Sequence, residues 1–293
     1  AATTEISTIL FVGSVRCVEE TANQRTAGGR LVSMSEPQWH ESPYHPRHPI
    51  TAYALATSRH MHQFGTTREM LADVAVAARG WANMNPEAFA QGPLSREDVL
   101  AKRMVSDPLS TGDCCLVTDG AAACILVRAE RAKDFPKPPV YFLGAAGASW
   151  HRSIQSMPDL TVTAASDSGP RAFEMAGVDR SDVDLLMLYD AFTINTILFL
   201  EDLGFCPKGE GGRFVQDGRI APGGELAVNT NGGGLSCVHP GMYGMFLIAE
   251  SVAQIRREAG ERQLERADIA LLHGNGGTLS SQVTAFLGSE AVV

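Results

Sequence analysis

Short apolar runs, each bounded by glycine, proline or charged residues, recur along the chain and predict buried strands. The runs lie at residues 8–13, 140–144, 184–189, 268–272 and 283–287. They do not alternate between apolar and polar positions, which is typical of strands that are covered on both faces. The pattern therefore predicts a sheet buried between other layers of the protein.

Segments with apolar residues at helical spacing separate these runs. Residues 66–69 read as a capping box that begins a helix, and Asn85-Pro86 ends it. A second, shorter helix is capped by Ser95 and ends near Met104. Three further helices are predicted at residues 170–177, where Pro170 opens the helix, 192–203 and 242–260.

This alternation of strands and helices predicts an α/β fold of two related layered units, with mixed but mostly parallel sheets. The proline-rich residues 133–139 read as a linker, so the units cover residues 1–135 and 140–293. Residues 14–53 are rich in His, Pro, Ser and Gly and predict an inserted lobe that extends over about residues 14–112. Residues 114–127 predict a strand–turn–strand or turn–helix–strand element of small side chains.

The charge balance argues against two classes of partner. The 293 residues include 33 acidic and 24 basic side chains, a net charge of −9. Such a surface disfavours nucleic acid and anionic membranes as the main partner. The longest apolar run, residues 121–127, is far shorter than the ~18 residues of a membrane-spanning helix. Six cysteines without a CxxC pair, and no signal-peptide pattern, predict a cytoplasmic protein with reduced thiols.

The candidate chemistry lies in glycine-rich turns at strand ends. These turns cover residues 229–234, 237–241 and 273–277, and Tyr189 stands where another strand ends and a helix begins. Ligands of open α/β sheets bind at the carboxyl ends of strands, where glycine lets the backbone approach a substrate. His239, just before a Pro-Gly pair, can polarise a carbonyl or transfer a proton. Taken singly, a glycine cluster is more often an ordinary turn and a lone histidine more often a structural residue, and it is their occurrence together at successive strand ends that favours a site.

Three histidines of the inserted lobe raise the question of a metal site. They are His40, His45 and His48, with Glu41 beside them. The prolines between them favour an irregular segment, and no paired cysteine supports a metal. We therefore expect no metal.

Several motifs together resemble those of thiolases, especially the sterol-carrier-protein-X-type and lipid-transfer branch. Residues 118–123 resemble the DGAAA turn of the family, and residues 189–192 stand at its NEAF or HDCF block. Residues 229–234 and 238–241 match its N-x-x-GG…GHP motif. The resemblance covers nearly all of the chain, and from about residue 140 onward it is to the C-terminal domain. It implies a thiolase-like fold and a homodimer or larger homo-oligomer.

The sequence departs from the family at its reacting groups. The nucleophilic Cys of the family precedes the strand that resembles residues 8–13, and no cysteine of this chain stands there. The second cysteine of the family aligns with Leu272, beside His273, and Tyr189 replaces its Asn or His. His239 alone is unchanged. Because the chain starts without Met directly before a predicted strand, we expect that a segment carrying the nucleophile precedes it.

The resemblance implies acyl transfer, or formation or cleavage of a C–C bond, at a coenzyme A thioester. That thioester is the substrate, and no covalently bound cofactor is expected. The implied catalytic groups are His239, Tyr189 and His273, and the implied oxyanion site uses Gly276, Gly277 and Asn231. A Tyr/His set also suits a retro-aldol lyase that acts on a bulky, steroid-like acyl-CoA side chain. A non-catalytic subunit that binds CoA or a partner is a third interpretation.

By the same resemblance, the inserted lobe covers coenzyme A. Its arginines Arg25, Arg30 and Arg47, together with Arg59, are therefore candidates for binding the phosphates. Some relatives work beside a small zinc-ribbon/OB-fold protein, so a partner of that kind is also an expectation.

Overall fold

One mixed sheet organises the computed structural model, which describes residues 7–10, 42–44, 46–241 and 243–293. In chain order its strands are β1 (Ser7–Leu10), β4 (Ile125–Arg128), β5 (Tyr141–Ser149), β6 (Leu185–Leu188), β7 (Ala227–Val228), β8 (Ile269–Gly276) and β9 (Ser281–Gly288). Across the sheet the strands lie in the order β4-β1-β5-β9-β8-β6-β7. Strands β2 (Met104–Ser106) and β3 (Leu109–Ser110) form a separate antiparallel pair.

The α/β class with a mixed sheet is confirmed, but the expectation of mostly parallel pairing is wrong for the described strands. Strand β6 is parallel to β7 and to β8, whereas β1–β4, β1–β5, β5–β9 and β8–β9 are antiparallel. For the pair β8–β9 the reason is local, because the two strands form a hairpin whose short turn, which includes Gly277 at a φ of 59°, permits only antiparallel pairing. Parallel strands are thus confined to the group around β6.

Helices cover both faces of the sheet. They are α1 (Ile50–Phe64), α2 (Arg68–Asn83), α3 (Arg96–Leu100), α4 (Ala165–Ala176), α5 (Thr193–Asp202), α6 (Gly211–Phe214) and α7 (Gly244–Ile255). Three predicted boundaries are wrong. Helix α3 ends at Leu100 instead of near Met104, Pro170 lies inside α4 instead of at its start, and α7 ends at Ile255 instead of at Gly260. Helix α1 was not predicted. Its first residues, 50–53, lie in the stretch that the sequence analysis expected to be irregular.

The start of α2 differs from the predicted capping box in the roles of its two threonines. The N-cap is Thr67, whose hydroxyl accepts the N–H of Met70 at 3.5 Å. Thr66 instead uses its hydroxyl for the buried imidazole of His60, at 2.7 Å. The predicted helix is therefore present, and its neighbouring threonine links α1 to α2.

The predicted element at residues 114–127 forms a strand only at its end, where β4 begins at Ile125. The preceding residues are irregular, but their backbone is hydrogen-bonded to other elements. The N–H of Cys115 donates to the carbonyl of Ala191 at 2.8 Å, and that of Leu116 donates to Gly234 at 2.9 Å. This segment thus lies against the ends of the elements that carry the candidate site.

Alternate residues of the central strands face two different cores. Leu186 and Leu188 of β6 pack in the core that contains α5, whereas Leu185 and Met187 pack with Leu247 of α7. Strands β1 and β4, which precede residues 133–139, join the same sheet as β5. The division into units at 1–135 and 140–293 remains a prediction. Within the described ranges, no helix is both long enough and apolar enough to cross a membrane.

Candidate functional site

The candidate site lies where the parallel strands β6, β7 and β8 run beside one another. The chain leaves β6 at Tyr189, whose N–H donates to the carbonyl of His273 on β8 at 2.9 Å. It leaves β7 at Asn229, whose N–H donates to Leu186 on β6 at 2.9 Å. The carboxyl ends of β6 and β7 thus meet beside β8, as in ligand sites of open α/β sheets.

Asn229 turns the chain from β7 into the glycine-rich segment. Its φ of 53° lies in the left-handed region, which Asn tolerates better than most side chains. Its side-chain oxygen accepts the N–H of Leu188 at 2.7 Å and so holds the segment to β6. Gly232 follows at a φ of 103°, and a Cβ there would lie 2.6 Å from the Cβ of Ala82 on α2. Glycine is therefore required for the close approach of this segment to α2.

Asp190 holds the same segment from the other side. Its carboxylate accepts the N–H of Gly234 at 2.7 Å and that of Leu235 at 3.4 Å. Burial raises the pKa of Asp190 to about 7, although these N–H groups and the Asn229 side chain oppose the shift. Asp190 thus fixes residues 233–237, a single turn of π-helix, at the end of β6.

Asn231, predicted as part of an oxyanion site, is engaged in the same loop. Its side-chain oxygen accepts the N–H of Gly233 at 2.8 Å, and its backbone carbonyl accepts from Asn85 at 2.9 Å. Since the oxygen is used internally, only its amide NH₂ is available as a donor toward a ligand.

His239 is buried at the end of this segment, with 5% of its surface exposed. Its backbone N–H donates to the hydroxyl of Thr118 at 2.9 Å. Among the described residues neither ring nitrogen has a hydrogen-bond partner. Burial lowers the pKa of His239 to about 4, so the imidazole is neutral at pH 7 and carries one N–H donor. A Cβ at Gly234 would lie 2.6 Å from Cδ2 of this ring, so glycine makes room for it.

The rings of Tyr189 and His239 lie edge to face, with their centroids 5.3 Å apart. The structure therefore brings these two predicted residues together. Tyr189 is half-buried.

Tyr243 belongs to this cluster and was missed by the sequence analysis. Its ring stacks on His239 at 5.2 Å and meets Tyr189 edge to face at 5.3 Å. It is fully buried, and its hydroxyl has no partner in the part of the chain that the structure describes. The available signal was an aromatic residue four positions after His239, inside a stretch that otherwise reads only as an apolar helix face.

His273 lies on the opposite face of the sheet from His239. Its ring packs on Phe199 of α5 at 4.5 Å, and both nitrogens have partners: Thr284 at 2.9 Å and Gln282 at 2.8 Å. Leu272, the preceding residue of β8, packs instead in the core that contains Tyr243. The structure therefore does not bring His273 to the Tyr189–His239 pair.

Gly276 and Gly277 lie at the far end of β8. Gly276 is three residues, or about 10 Å of strand, beyond the point where β8 lies beside Tyr189. Its carbonyl accepts the hydroxyl of Ser280 at 3.0 Å within the β8–β9 turn. Their predicted role in an oxyanion site thus remains a prediction.

The arginines predicted to bind coenzyme A are only partly covered by the structure. Arg25 and Arg30 lie outside the described residues. Arg47, just before α1, and Arg59, within α1, are exposed. Their role remains a prediction.

The described thiols are all poor candidates for a nucleophile. Burial raises the pKa of Cys124 to about 11 and those of Cys114, Cys206 and Cys237 to about 12, and it raises that of Cys115 further. Cys17 lies outside the described residues, as do His40, Glu41 and His45. Within the described ranges no group of three His, Cys, Asp or Glu side chains could hold a metal ion.

Residues 146–289 match the family described as thiolase C-terminal domain-like. The acetyl-CoA acetyltransferase of Methanothermobacter thermautotrophicus is 42% identical over 228 residues, 77% of this chain and 60% of that protein. The steroid side-chain-cleaving aldolase of Thermomonospora curvata is 35% identical over 78% of this chain and 59% of its own length. The chain thus spans about 60% of the length of these two curated relatives.

A solved structure also resembles this fold. It is described as an Ltp2-ChsH2(DUF35) aldolase, and its chain superposes with a TM-score of 0.81 at 30% identity. The match covers 97% of this chain and 72% of the other.

Proposed function

We propose that this chain, which belongs to the thiolase superfamily, binds an acyl-CoA thioester beside Tyr189 and His239 and acts on a C–C bond near its carbonyl. The observation that carries the proposal is the neutral imidazole of His239, which is buried without a hydrogen-bond partner among the described residues. A buried polar group without a partner costs about 1–3 kcal/mol. A thioester oxygen that accepts the His239 N–H removes this cost.

In this proposal His239 donates a hydrogen bond to the oxyanion that develops at the thioester carbonyl. A buried donor in a low-dielectric site stabilises developing negative charge more strongly than the same donor in water. Because its pKa is lowered to about 4, His239 stays neutral and acts by its N–H, without gaining a proton. The stacked ring of Tyr243 holds the imidazole in place, and the Thr118 hydroxyl holds the backbone of His239.

The described residues favour retro-aldol cleavage of a β-hydroxyacyl-CoA. In this reaction Tyr189, as its phenolate, takes the proton of the β-hydroxyl group, and the bond between the α- and β-carbons breaks. The β-carbon leaves as a ketone or aldehyde, and the electron pair forms the thioester enolate, whose oxygen His239 stabilises. The phenol of Tyr189 then returns the proton to the α-carbon, which gives a shortened acyl-CoA and restores the phenolate. None of these steps requires a thiolate, which agrees with the raised pKa values of the described thiols.

We propose a bulky, steroid-like side chain as the substrate. Support comes from the similarity to a protein named a steroid side-chain-cleaving aldolase. The similarity to an Ltp2-ChsH2(DUF35) aldolase also supports a second protein as partner, for which we propose a small zinc-ribbon/OB-fold protein, beside self-association into a homodimer.

Acyl transfer is the second candidate, favoured by the 42% identity to a protein named acetyl-CoA acetyltransferase. It requires a nucleophile that carries the acyl group. Incubation with acetyl-CoA followed by intact-mass measurement distinguishes the two reactions, because only acyl transfer leaves an acetyl group on the protein.

The test of the proposal uses the full chain, alone and with its co-purified partner, and β-hydroxyacyl-CoA thioesters with a bulky substituent. Mass spectrometry follows the carbonyl product and the shortened acyl-CoA. We expect Tyr189→Phe to reduce cleavage at least ~100-fold, since general acid–base catalysis contributes about 10²–10⁴-fold. Tyr44→Phe is the matched control, because Tyr44 is 84% exposed. Thioester binding without any cleavage would support a non-catalytic binding subunit and overturn the proposed reaction.

A further inference from the structure

A small cavity lies behind the candidate site, between α2, α5 and the end of β7. Its volume for a water-sized sphere is about 10 Å³, which is about the least that holds one water molecule. Three polar side chains line the cavity: Asp190, Thr196 and Asn229. The remaining lining residues are apolar, and all of the lining residues are buried.

The hydroxyl of Thr196 is the unusual feature of this cavity. Thr196 is 1% exposed, and its Oγ1 has no hydrogen-bond partner among the described residues. Thr193, one turn earlier on α5, is equally buried, but its hydroxyl donates to Asp113 at 3.0 Å. Since a buried hydroxyl left unpaired costs about 1–3 kcal/mol, Thr196 requires a partner that the cavity can hold.

Asp190 provides the complementary group. The carboxylate of Asp190 has about four acceptor positions, of which the N–H groups of Gly234 and Leu235 and the side chain of Asn229 use three. The oxygen of the Asn229 side chain is used by Leu188 and its NH₂ by Asp190, so Asn229 lines the cavity without a free group. A water molecule needs two to four polar partners, and Thr196 and Asp190 provide two.

We propose that one ordered water molecule occupies this cavity, accepts a hydrogen bond from Thr196 and donates one to the carboxylate of Asp190. The proposal goes beyond the proposed function and does not depend on it. It assigns water as the ligand of the cavity. The water adds a further hydrogen bond to Asp190, whose carboxylate holds residues 233–237.

The sign of the stability change in Thr196→Val tests the proposal on the full chain. Val has nearly the shape and helix propensity of Thr but cannot hydrogen-bond. If the water is bound, the substitution removes one of its partners, and the urea midpoint of unfolding falls. If the hydroxyl has no partner, the apolar replacement is neutral or stabilising, and the midpoint stays or rises. An unchanged or higher midpoint overturns the proposal.

Two matched substitutions calibrate this result. Thr111→Val replaces an exposed threonine and should leave the midpoint unchanged. Thr193→Val removes a hydroxyl with a direct partner and should lower it. A crystal structure of the chain at a resolution that reveals ordered water decides the matter independently. Density within hydrogen-bond distance of Thr196 Oγ1 and Asp190 supports the proposal, and an empty cavity contradicts it, even if Thr196→Val does not fold.

Discussion

The carboxylate of Asp190 accepts the backbone N–H of Gly234 at 2.7 Å and so ties the end of β6 to the segment that leads to His239. Tyr189, next to Asp190 in sequence, is thereby placed against the same segment. This hydrogen bond thus links the two backbone segments that carry Tyr189 and His239.

The first prediction concerns the pH dependence of stability that Asp190 causes. Burial raises its pKa in the folded protein to about 7, above its unfolded value of about 4. Between these values the unfolded chain has lost the proton and the folded chain keeps it, so rising pH favours unfolding. Asp190→Asn lacks this titration but keeps an acceptor for Gly234. We expect the free energy of unfolding of the variant, relative to the parent, to increase from about pH 4 to about pH 7.

Urea unfolding of both proteins at several pH values measures this difference, since groups unaffected by the substitution cancel. A difference that stays constant over this range would mean that Asp190 is ionised throughout and that the folded protein does not raise its pKa.

The second prediction concerns the protonation of His239. Because burial lowers its pKa to about 4, the ring is neutral from about pH 5.5 to 8. His239→Asn should then reduce kcat by about 10²–10³-fold, the usual effect of losing one oxyanion donor, and by the same factor at each pH. Pre-steady-state measurement of the cleavage rate across this range provides the test. His62→Asn, at an exposed histidine, is the control.

A reduction factor that changes tenfold or more around pH 6.5 would show that His239 titrates in the ordinary range of an imidazole and acts as an acid or base.

The third prediction separates the ring of Tyr243 from its hydroxyl. The ring stacks on His239, while the hydroxyl is buried with no partner among the described residues. Tyr243→Phe should therefore leave the free energy of unfolding unchanged or raise it by up to ~1 kcal/mol. Tyr243→Ala should lower it by about 3–5 kcal/mol, as for other large aromatic residues of a core. Thermal and urea unfolding of the two variants check this, and a destabilised Tyr243→Phe would reveal a partner of the hydroxyl.

The fourth prediction concerns His273, whose ring is fully buried between Thr284 and Gln282. Burial lowers its pKa to about 4, below the unfolded value of about 6.5. As pH falls through this range the unfolded chain gains a proton that the folded chain does not, so stability is lost. His273→Asn removes this titration, and its deficit in unfolding free energy relative to the parent should shrink from about pH 6.5 to pH 4. A deficit that grows toward low pH would contradict the lowered pKa.

The central strands and the pair of Tyr189 and His239 could be predicted from local sequence patterns. Strands β6 and β8 are apolar on both faces, so their existence could be read from short apolar runs. Tyr189 and His239 follow strand-end and glycine signals, and the structure places their rings 5.3 Å apart.

The orientation of His273 could not be predicted in the same way. When both faces of a strand are buried, the sequence contains no alternation to show which side chain points to which face. The sequence therefore does not show which face of the sheet Leu272 or His273 points to. The pairing of β8 with β6 and β9 determines it. Tyr243 was missed because a tyrosine in an apolar stretch reads as core, and only its stacking on His239 relates it to the site.

The carbonyl stretching frequency of a bound thioester tests the central claim most directly. A saturated acyl-CoA with a ¹³C-labelled thioester carbonyl has no β-hydroxyl group and cannot be cleaved, so infrared difference spectra report the bound state alone. A hydrogen bond from His239 should shift the carbonyl band to lower wavenumber in the parent protein, and the shift should be lost in His239→Asn and kept in His62→Asn. Identical carbonyl bands in the parent and His239→Asn, with the thioester bound to both, would contradict the account.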